Sequence, residues 1–224
     1  MYTLERDREA GKNAVASNKN LKQTAYTVIK RKILSNELKP NEYLEEKKLC
    51  EMLSASRTPI REAINALELE NLVTIIPNKG IFVTNISVQS IKELFQARLI
   101  MEPIVFHMAA ANMDMDRMLD FRLQLEKAIT EADYAEMNRL DYEFHNYITS
   151  ECRNSFLIKA MNSISDNFQR VRTREFYSAE RVTNGAREHI EMIDLFIGGQ
   201  YEEFEKFLKT HISNTANFFY KSLV

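Results

Sequence analysis

Apolar residues recur at helical spacing from Leu21 through Ala25, Val28, Ile29, Ile33 and Leu34. That helix must end before Pro40, because the residue preceding a proline is pushed out of the α region. A second, short helix is predicted over about 45–53, with Leu49, Met52 and Leu53 inward. "SAS" (54–56) interrupts it, and Ser56 stands where it can cap a third helix running to about Glu70. The inward stripe of that helix is Ile60, Ala63, Ile64 and Leu67. Two β-branched runs then flank a Pro-Asn-Lys-Gly turn in "LVTIIPNKGIFVT" (72–84), the chemistry of a short hairpin.

Beyond residue 85 the pattern is helical throughout. A Ser cap opens a helix over 87–111 that Pro103 should kink or split. Further helices are predicted at about 114–130, 133–150, 154–175, 179–197 and 200–221, with Gly198 and Gly199 punctuating the last pair. The expected fold is mainly α. A polar, aperiodic tail (1–20) precedes a winged helix-turn-helix of three helices and a hairpin (21–84). An antiparallel bundle of six or seven helices follows (85–224).

Composition agrees with this reading and narrows the function. An apolar content of 45% can build real cores, while five glycines and four prolines are too few for a many-turned β protein. The longest apolar runs, such as "IVFHMAAA" (104–111), fall far short of the roughly 20 residues that cross a bilayer. The N-terminal "MYTLERDREAGK" lacks the apolar block of a signal peptide. Cys50 and Cys152 stand apart, as reduced thiols do. A soluble, cytoplasmic protein without membrane partners is expected. The net charge of −2 hides an asymmetry: 11 Lys+Arg against 8 Asp+Glu in 18–84, but 16 against 21 in 85–224. A basic front suits a nucleic-acid-binding module.

The chemistry of that front is concentrated in "SRTPIREA" (56–63). Pro59 lies in the first helical turn, where its missing N–H has no intrahelical partner to lose. Arg57 and Arg61, with Thr58 and Asn65, form a polar face turned away from the core stripe. In a helix-turn-helix this part of the second helix enters the major groove, where arginine can bond guanine bidentately.

The stretch "KPNEYLEEKKLCEMLSASRTPIREAINALELENLVTIIPNKGIFV" resembles the DNA-binding domain of the GntR family of bacterial transcription regulators. The match rests on "SRTPIREA", "LE…NLV" and the "PNKG" wing turn. The resemblance implies base or phosphate contacts at Lys47, Arg57, Thr58 and Arg61, and a minor-groove wing tip at Asn78, Lys79 and Gly80. Asn41, Ser54 and Asn71 stand where the family usually has glycine. Asparagine tolerates the left-handed conformation best among non-glycines, so Ser54 is the least expected of the three.

All four histidines fall in the bundle: His107, His145, His189 and His211. "LDYEFHNYI" sets Asp141 and His145 one turn apart on a face that also carries Leu140, Phe144 and Ile148. His189 and His211 each neighbour inward apolar residues on later helices. Spacing alone leaves open whether these are core histidines or ligands.

The C-terminal part resembles the all-helical FCD ligand-sensing domain of the FadR branch of GntR regulators. Its metal-binding members carry Asp-x-x-x-His and one His on each of two later helices, which Asp141, His145, His189 and His211 match in position. The resemblance implies a five- or six-coordinate divalent metal, Zn²⁺ first and Ni²⁺ or Mn²⁺ as alternatives, with open positions for water or an effector. "FQARLIMEP" matches the start of that domain, which makes Arg98 the expected anchor for an effector carboxylate; an i,i+4 pair with Glu102 is the competing reading. Of Arg170, Arg172 and Arg174, one is expected at the pocket and two on a solvated face, and His107 lies outside the motif.

The expectation is a homodimeric, ligand-responsive regulator, a repressor by the family's commoner mode, that a small organic acid releases from its operator DNA. The alternatives are a regulator for which the metal is the signal, and a metal-dependent hydrolase with a DNA-binding head.

Overall fold

The computed structural model describes residues 20–172 and 178–222. The chain divides into two compact units, Met1–Asn85 and Ile86–Val224.

In the first unit, helix α1 (20–34) is followed by strand β1 (Tyr43–Leu44), α2 (Glu46–Leu53), α3 (Arg57–Leu69), β2 (Val73–Ile76) and β3 (Gly80–Val83). The periodic residues of α1 and α3 meet: Ala25, Ile29, Ile33, Ile60, Ala63, Ile64 and Leu67 are buried together with Leu49 and Val83. The sheet has three strands, ordered β1-β3-β2, not the two that the pattern predicts. Tyr43 pairs with Phe82 and Leu44 with Ile81, and a two-residue strand is too short to leave an alternation signal.

Asn41, Ser54 and Asn71 all adopt the left-handed conformation, with φ of 65°, 48° and 60°. Three turns that the resemblance assigns to glycine therefore keep glycine's backbone without its freedom. Ser54 closes α2 there, its N–H reaching the carbonyls of Cys50 and Glu51. Ser56 occupies the N-cap position of α3 as predicted, but its side chain accepts no capping hydrogen bond. Pro59 stands in the first turn of α3 and is buried.

The second unit contains α4 (Val88–Ala109), α5 (Met115–Thr130), α6 (Tyr134–Glu151), α7 (Ser155–Arg172), α8 (Ala179–Ile197) and α9 (Tyr201–Ser222). Pro103 neither ends nor splits α4, which continues through it, so six helices form the bundle among the described residues. Ser87 and Ser90 form a reciprocal capping box at its start, and Asp114, Asp133 and Ser178 cap α5, α6 and α8. The predicted extension of α7 past Arg172 falls on residues outside those described. Phe95, Phe106, Phe121, Phe144, Phe204 and Phe219 are fully buried, and Phe106 stacks on Phe204 at 3.7 Å between centroids. Among the described residues no helix is long and apolar enough to cross a membrane.

Candidate metal centre and DNA-reading surface

One turn of α6 directs Asp141 and His145 to the same side, where His189 of α8 and His211 of α9 meet them. One ligand atom from each of the four lies within 4.8 Å of the others. Nε2 of His189 stands 3.2 Å from Nε2 of His145 and 3.4 Å from Oδ1 of Asp141. A metal with bonds of about 2.1 Å needs neighbouring ligands about 3–3.4 Å apart and opposite ones about 4.2 Å apart. The 3.2 and 3.4 Å separations match neighbouring ligands, and three imidazole nitrogens with one carboxylate oxygen suit a divalent transition metal once the widest separation contracts.

The remaining nitrogens of two histidines also face carboxylates. Nδ1 of His145 lies 3.0 Å from Oε2 of Glu102, and Nδ1 of His211 lies 2.7 Å from Oε2 of Glu188. The Glu188 contact is a hydrogen bond that fixes the His211 tautomer and turns its Nε2 toward a shared centre, whereas Oε2 of Glu102 stands near His145 without a hydrogen bond among the described residues. Glu188 is held in turn by Arg181 at 2.8 Å and by the Asn214 amide at 2.9 Å. Arg181 also donates to the Thr215 hydroxyl at 2.6 Å. Nδ1 of His189 is buried without a hydrogen-bond partner among the described residues.

Charge at the centre is balanced by arginines. Arg172 donates to Asp141 and to the side chain of Asn138. Burial would raise the Asp141 carboxyl, but the Arg172 guanidinium beside it outweighs burial and holds it well below the usual carboxylate range. Glu102 is lowered in the same way, burial opposing and Arg98 with His145 prevailing. Glu188 follows, with His211 and Arg181 overcoming burial. Burial pushes His189 and His211 below the ordinary imidazole value, against the pull of Asp141 on one and of Glu188 on the other. Both rings are therefore neutral, the state a metal requires.

Arg98 sits beside this centre and pairs with Glu102 at 2.5 Å, both side chains buried. The i,i+4 pair weighed from the sequence is present, and it does not use the whole guanidinium. Nη1 of Arg98 is buried without a hydrogen-bond partner among the described residues, and the guanidinium carbon lies 4.0 Å from the centre of the Phe168 ring. A cavity of about 10 Å³ is lined by Arg98, Glu102, Asp141, Tyr142, His145, Ser165, Phe168 and Arg172. That is room for about one water. Of the three arginines near the end of α7, Arg172 reaches the centre; Arg170 is buried as well, contrary to the solvated face predicted for it, and Arg174 lies outside the described residues. His107 is exposed.

Glu188, Asn138 and Arg181 escape sequence reasoning because each looks like one more charged or polar residue on an amphipathic helix, and Glu102 was expected beside Arg98 but not beside His145. The available signal was weak: Glu102 is one turn after Arg98, and Glu188 directly precedes His189.

In the first unit, Arg57, Thr58, Arg61 and Asn65 are exposed along one side of α3, and Lys47 is exposed on α2. Asn78 and Lys79 are exposed in the turn, Asn78 at φ 61°. Gly80 opens β3 opposite Ile76 instead of standing at the tip. Its φ is 111°, which favours glycine, and an added Cβ would lie 2.5 Å from Cε2 of the exposed Tyr43 ring, which would have to move aside. A groove of about 610 Å³ is bordered by Lys47, Arg61, Asn65 and Asn78. Arg61 is paired within it: Nε donates to Oε1 of Glu46 at 2.6 Å and Nη2 to Oε2 at 3.0 Å.

Comparison with known proteins agrees with this two-part anatomy. Residues 21–83 match the model for bacterial regulatory proteins of the gntR family, and residues 93–214 match the FCD domain. The chain is 29% identical over 182 residues to the Nta operon transcriptional regulator of Aminobacter aminovorans, covering 80% of this chain and 85% of the relative. It is 25% identical over 194 residues to the gluconate operon transcriptional repressor of Bacillus licheniformis, covering 79% of each. A crystal structure of a GntR regulator from Rhodococcus sp. RHA1 superposes with a TM-score of 0.73 at 22% identity, over 88% of this chain and 95% of that one. These relatives are regulators, which removes the hydrolase alternative. A winged helix-turn-helix with outward arginines, joined to a helical domain that the FCD model matches over more than half of the chain, makes this protein a DNA-binding transcriptional regulator of the GntR family.

Proposed function

We propose that the protein is a homodimeric repressor whose FCD domain holds a divalent metal and releases operator DNA when a small organic acid binds beside that metal. The observation that carries this reading is the convergence of Asp141, His145, His189 and His211 within 4.8 Å, with His145 and His211 each backed by a carboxylate. When bound, the metal supplies a fixed positive centre that can orient a carboxylate. Zn²⁺ suits three imidazoles and a carboxylate; Ni²⁺ and Mn²⁺ are the other metals considered.

Charge around the centre supports an anionic effector. Asp141, Glu102 and Glu188 are matched by Arg172, Arg98 and Arg181, so these carboxylates and guanidiniums balance one another. A divalent ion leaves a buried excess of two positive charges, which anionic groups of the effector neutralise. The unpartnered Nη1 of Arg98 is a donor for one of them. A cavity of about 10 Å³ holds no organic acid, so entry requires the bundle to repack. Binding that depends on repacking favours one arrangement of the bundle over another, which is the requirement for a ligand to act as a switch.

Operator contact is assigned to Lys47, Arg57, Thr58 and Arg61, with the wing of Asn78, Lys79 and Gly80. Dimerisation uses the exposed apolar stripes Ile100, Ile104 and Met108 of α4 and Met115, Leu119 and Leu123 of α5. The name of the gluconate operon relative supports repression. The test titrates metal-loaded and chelated protein onto a fragment of its own promoter, with a panel of mono-, di- and tricarboxylic acids. Release by an acid only when metal is present supports the reading. Release by metal or chelator alone makes the metal the signal, and failure to bind any upstream DNA overturns the proposal.

A further inference from the structure

Arg57 and Arg61 stand one turn apart on the same exposed side of α3, yet they are held differently. Arg57 makes no ion pair among the described residues, whereas both edge atoms of Arg61 are taken by the two oxygens of Glu46. The side chain of Arg61 is 61% exposed and that of Glu46 is 24% exposed. Glu46 is the first residue of α2, and buried Leu49 packs that helix into the head's core, so the carboxylate is set on a fixed support.

A carboxylate in a DNA-facing groove costs affinity for a polyanion, so its place there needs another account. A guanidinium has five N–H donors in a rigid plane. Glu46 takes Nε–H and one Nη2–H, which leaves the Nη1/Nη2 edge free and fixes the direction it faces. That edge is one that can read O6 and N7 of guanine. The pair is also neutral overall, so Arg61 loses most of its attraction to phosphates of any sequence. We infer that Glu46 is a positioning residue that turns Arg61 from a general phosphate contact into a reader of one base. This rests on the reading of Arg61 as a base contact.

The experiment equilibrates full-length protein with a pool of randomised duplex DNA and sequences the captured fraction, for wild type, Arg61→Ala, Glu46→Gln and Glu46→Asp. Affinity for one arbitrary duplex is measured in parallel across salt concentrations. Arg61→Ala is expected to abolish preference at one guanine per half-site. Glu46→Gln should reduce that preference about tenfold. It should also tighten binding to the arbitrary duplex and steepen its salt dependence by roughly one unit of log–log slope. Glu46→Asp keeps the charge on a shorter arm, so it should restore the salt dependence while recovering the preference only in part.

Unchanged preferences in Arg61→Ala mean that Arg61 reads no base, and the inference fails with that reading. A preference lost in Arg61→Ala but intact in Glu46→Gln leaves the reading standing and overturns the positioning role. Equal weakening of selected and arbitrary DNA by Glu46→Gln assigns Glu46 a merely structural part, which also overturns it.

Discussion

Nε2 of His145 and Nε2 of His189 face each other at 3.2 Å, while Nδ1 of His145 faces Glu102 at 3.0 Å. Two imidazole nitrogens pointed at one another share one proton or one metal. A metal is therefore expected to stabilise the FCD domain substantially. At a free concentration of 100 times Kd the gain is about 2.7 kcal/mol. Calorimetry should show a higher Tm with metal and a lower one after chelation. His189→Ala should lose bound metal on elemental analysis and the metal-dependent part of Tm, with DNA binding by the head retained. Wild-type protein that binds no divalent metal would remove the site.

Among the described residues Glu188 reaches the centre through Nδ1 of His211. Glu188→Gln keeps the shape but loses the carboxylate that orients and polarises the ring. Metal affinity should fall about 10–100-fold, measured by competition with a chromogenic chelator. Unchanged affinity would mean that His211 is held by packing alone.

Acid should destabilise the metal-free protein, and the sign follows from the buried rings. His189 and His211 lie below the ordinary value of 6.5 in the folded state. As pH falls through 6.5, the unfolded chain binds protons that the folded chain refuses, so stability drops with acidification. The slope reaches about 1.4 kcal/mol per pH unit for each ring. The lowered carboxyls of Asp141, Glu102 and Glu188 act in the same direction at lower pH, because their stabilisation is present above the ordinary carboxylate range and is lost as they protonate. Chemical denaturation at pH 5.5 and 7.5 checks this; equal stability at the two would contradict neutral, buried imidazoles.

Ser54 and Gly80 both have positive φ, and they predict opposite results on exchange. Ser54→Gly relieves a left-handed serine and should stabilise the head by about 0.5–1 kcal/mol. Gly80→Ala strains a backbone at φ 111° and displaces the Tyr43 ring, so it should destabilise the head by more than that. Urea denaturation of the full chain, followed through the transition of the head, measures both.

Ile104 is 53% exposed and Leu123 is 64% exposed on stripes that run along α4 and α5. If these stripes meet a second copy, Ile104→Glu combined with Leu123→Glu should shift sedimentation from dimer to monomer and weaken operator binding at least about tenfold, because paired half-sites are lost. A dimer indifferent to both changes would place the interface elsewhere.

Much of this protein was legible in its sequence, for physical reasons that can be named. Period-3.6 stripes located the helices because each must bury one face, and Asp141 and His145 could be paired because α-helical spacing is fixed. The convergence of His189 and His211 on that pair depends on how three helices pack, which no local pattern records. Spacing alone could not separate a ligand histidine from a core histidine. Strand β1 and the ion pair of Arg61 with Glu46 were invisible for the opposite reason. Two residues carry no periodicity, and a surface Glu-Arg contact between helices leaves no trace in either helix. Of the outcomes expected at Pro103 the split does not occur, because a proline inside a helix costs stability without forcing it apart when both flanks are packed.

The continuity of α4 gives the centre a lever. Arg98 stands ten residues after Val88, about 15 Å along the axis, and the backbone bond missing at Pro103 lies beyond that stretch. The arm from Val88 to Arg98 is therefore unbroken, and it begins where the chain arrives from the DNA-reading head. A tilt of about 5° at the level of Arg98 carries the Val88 end through about 1.3 Å. Any repacking that shifts Arg98 relative to Glu102 would be felt at the Val88 end of that rod.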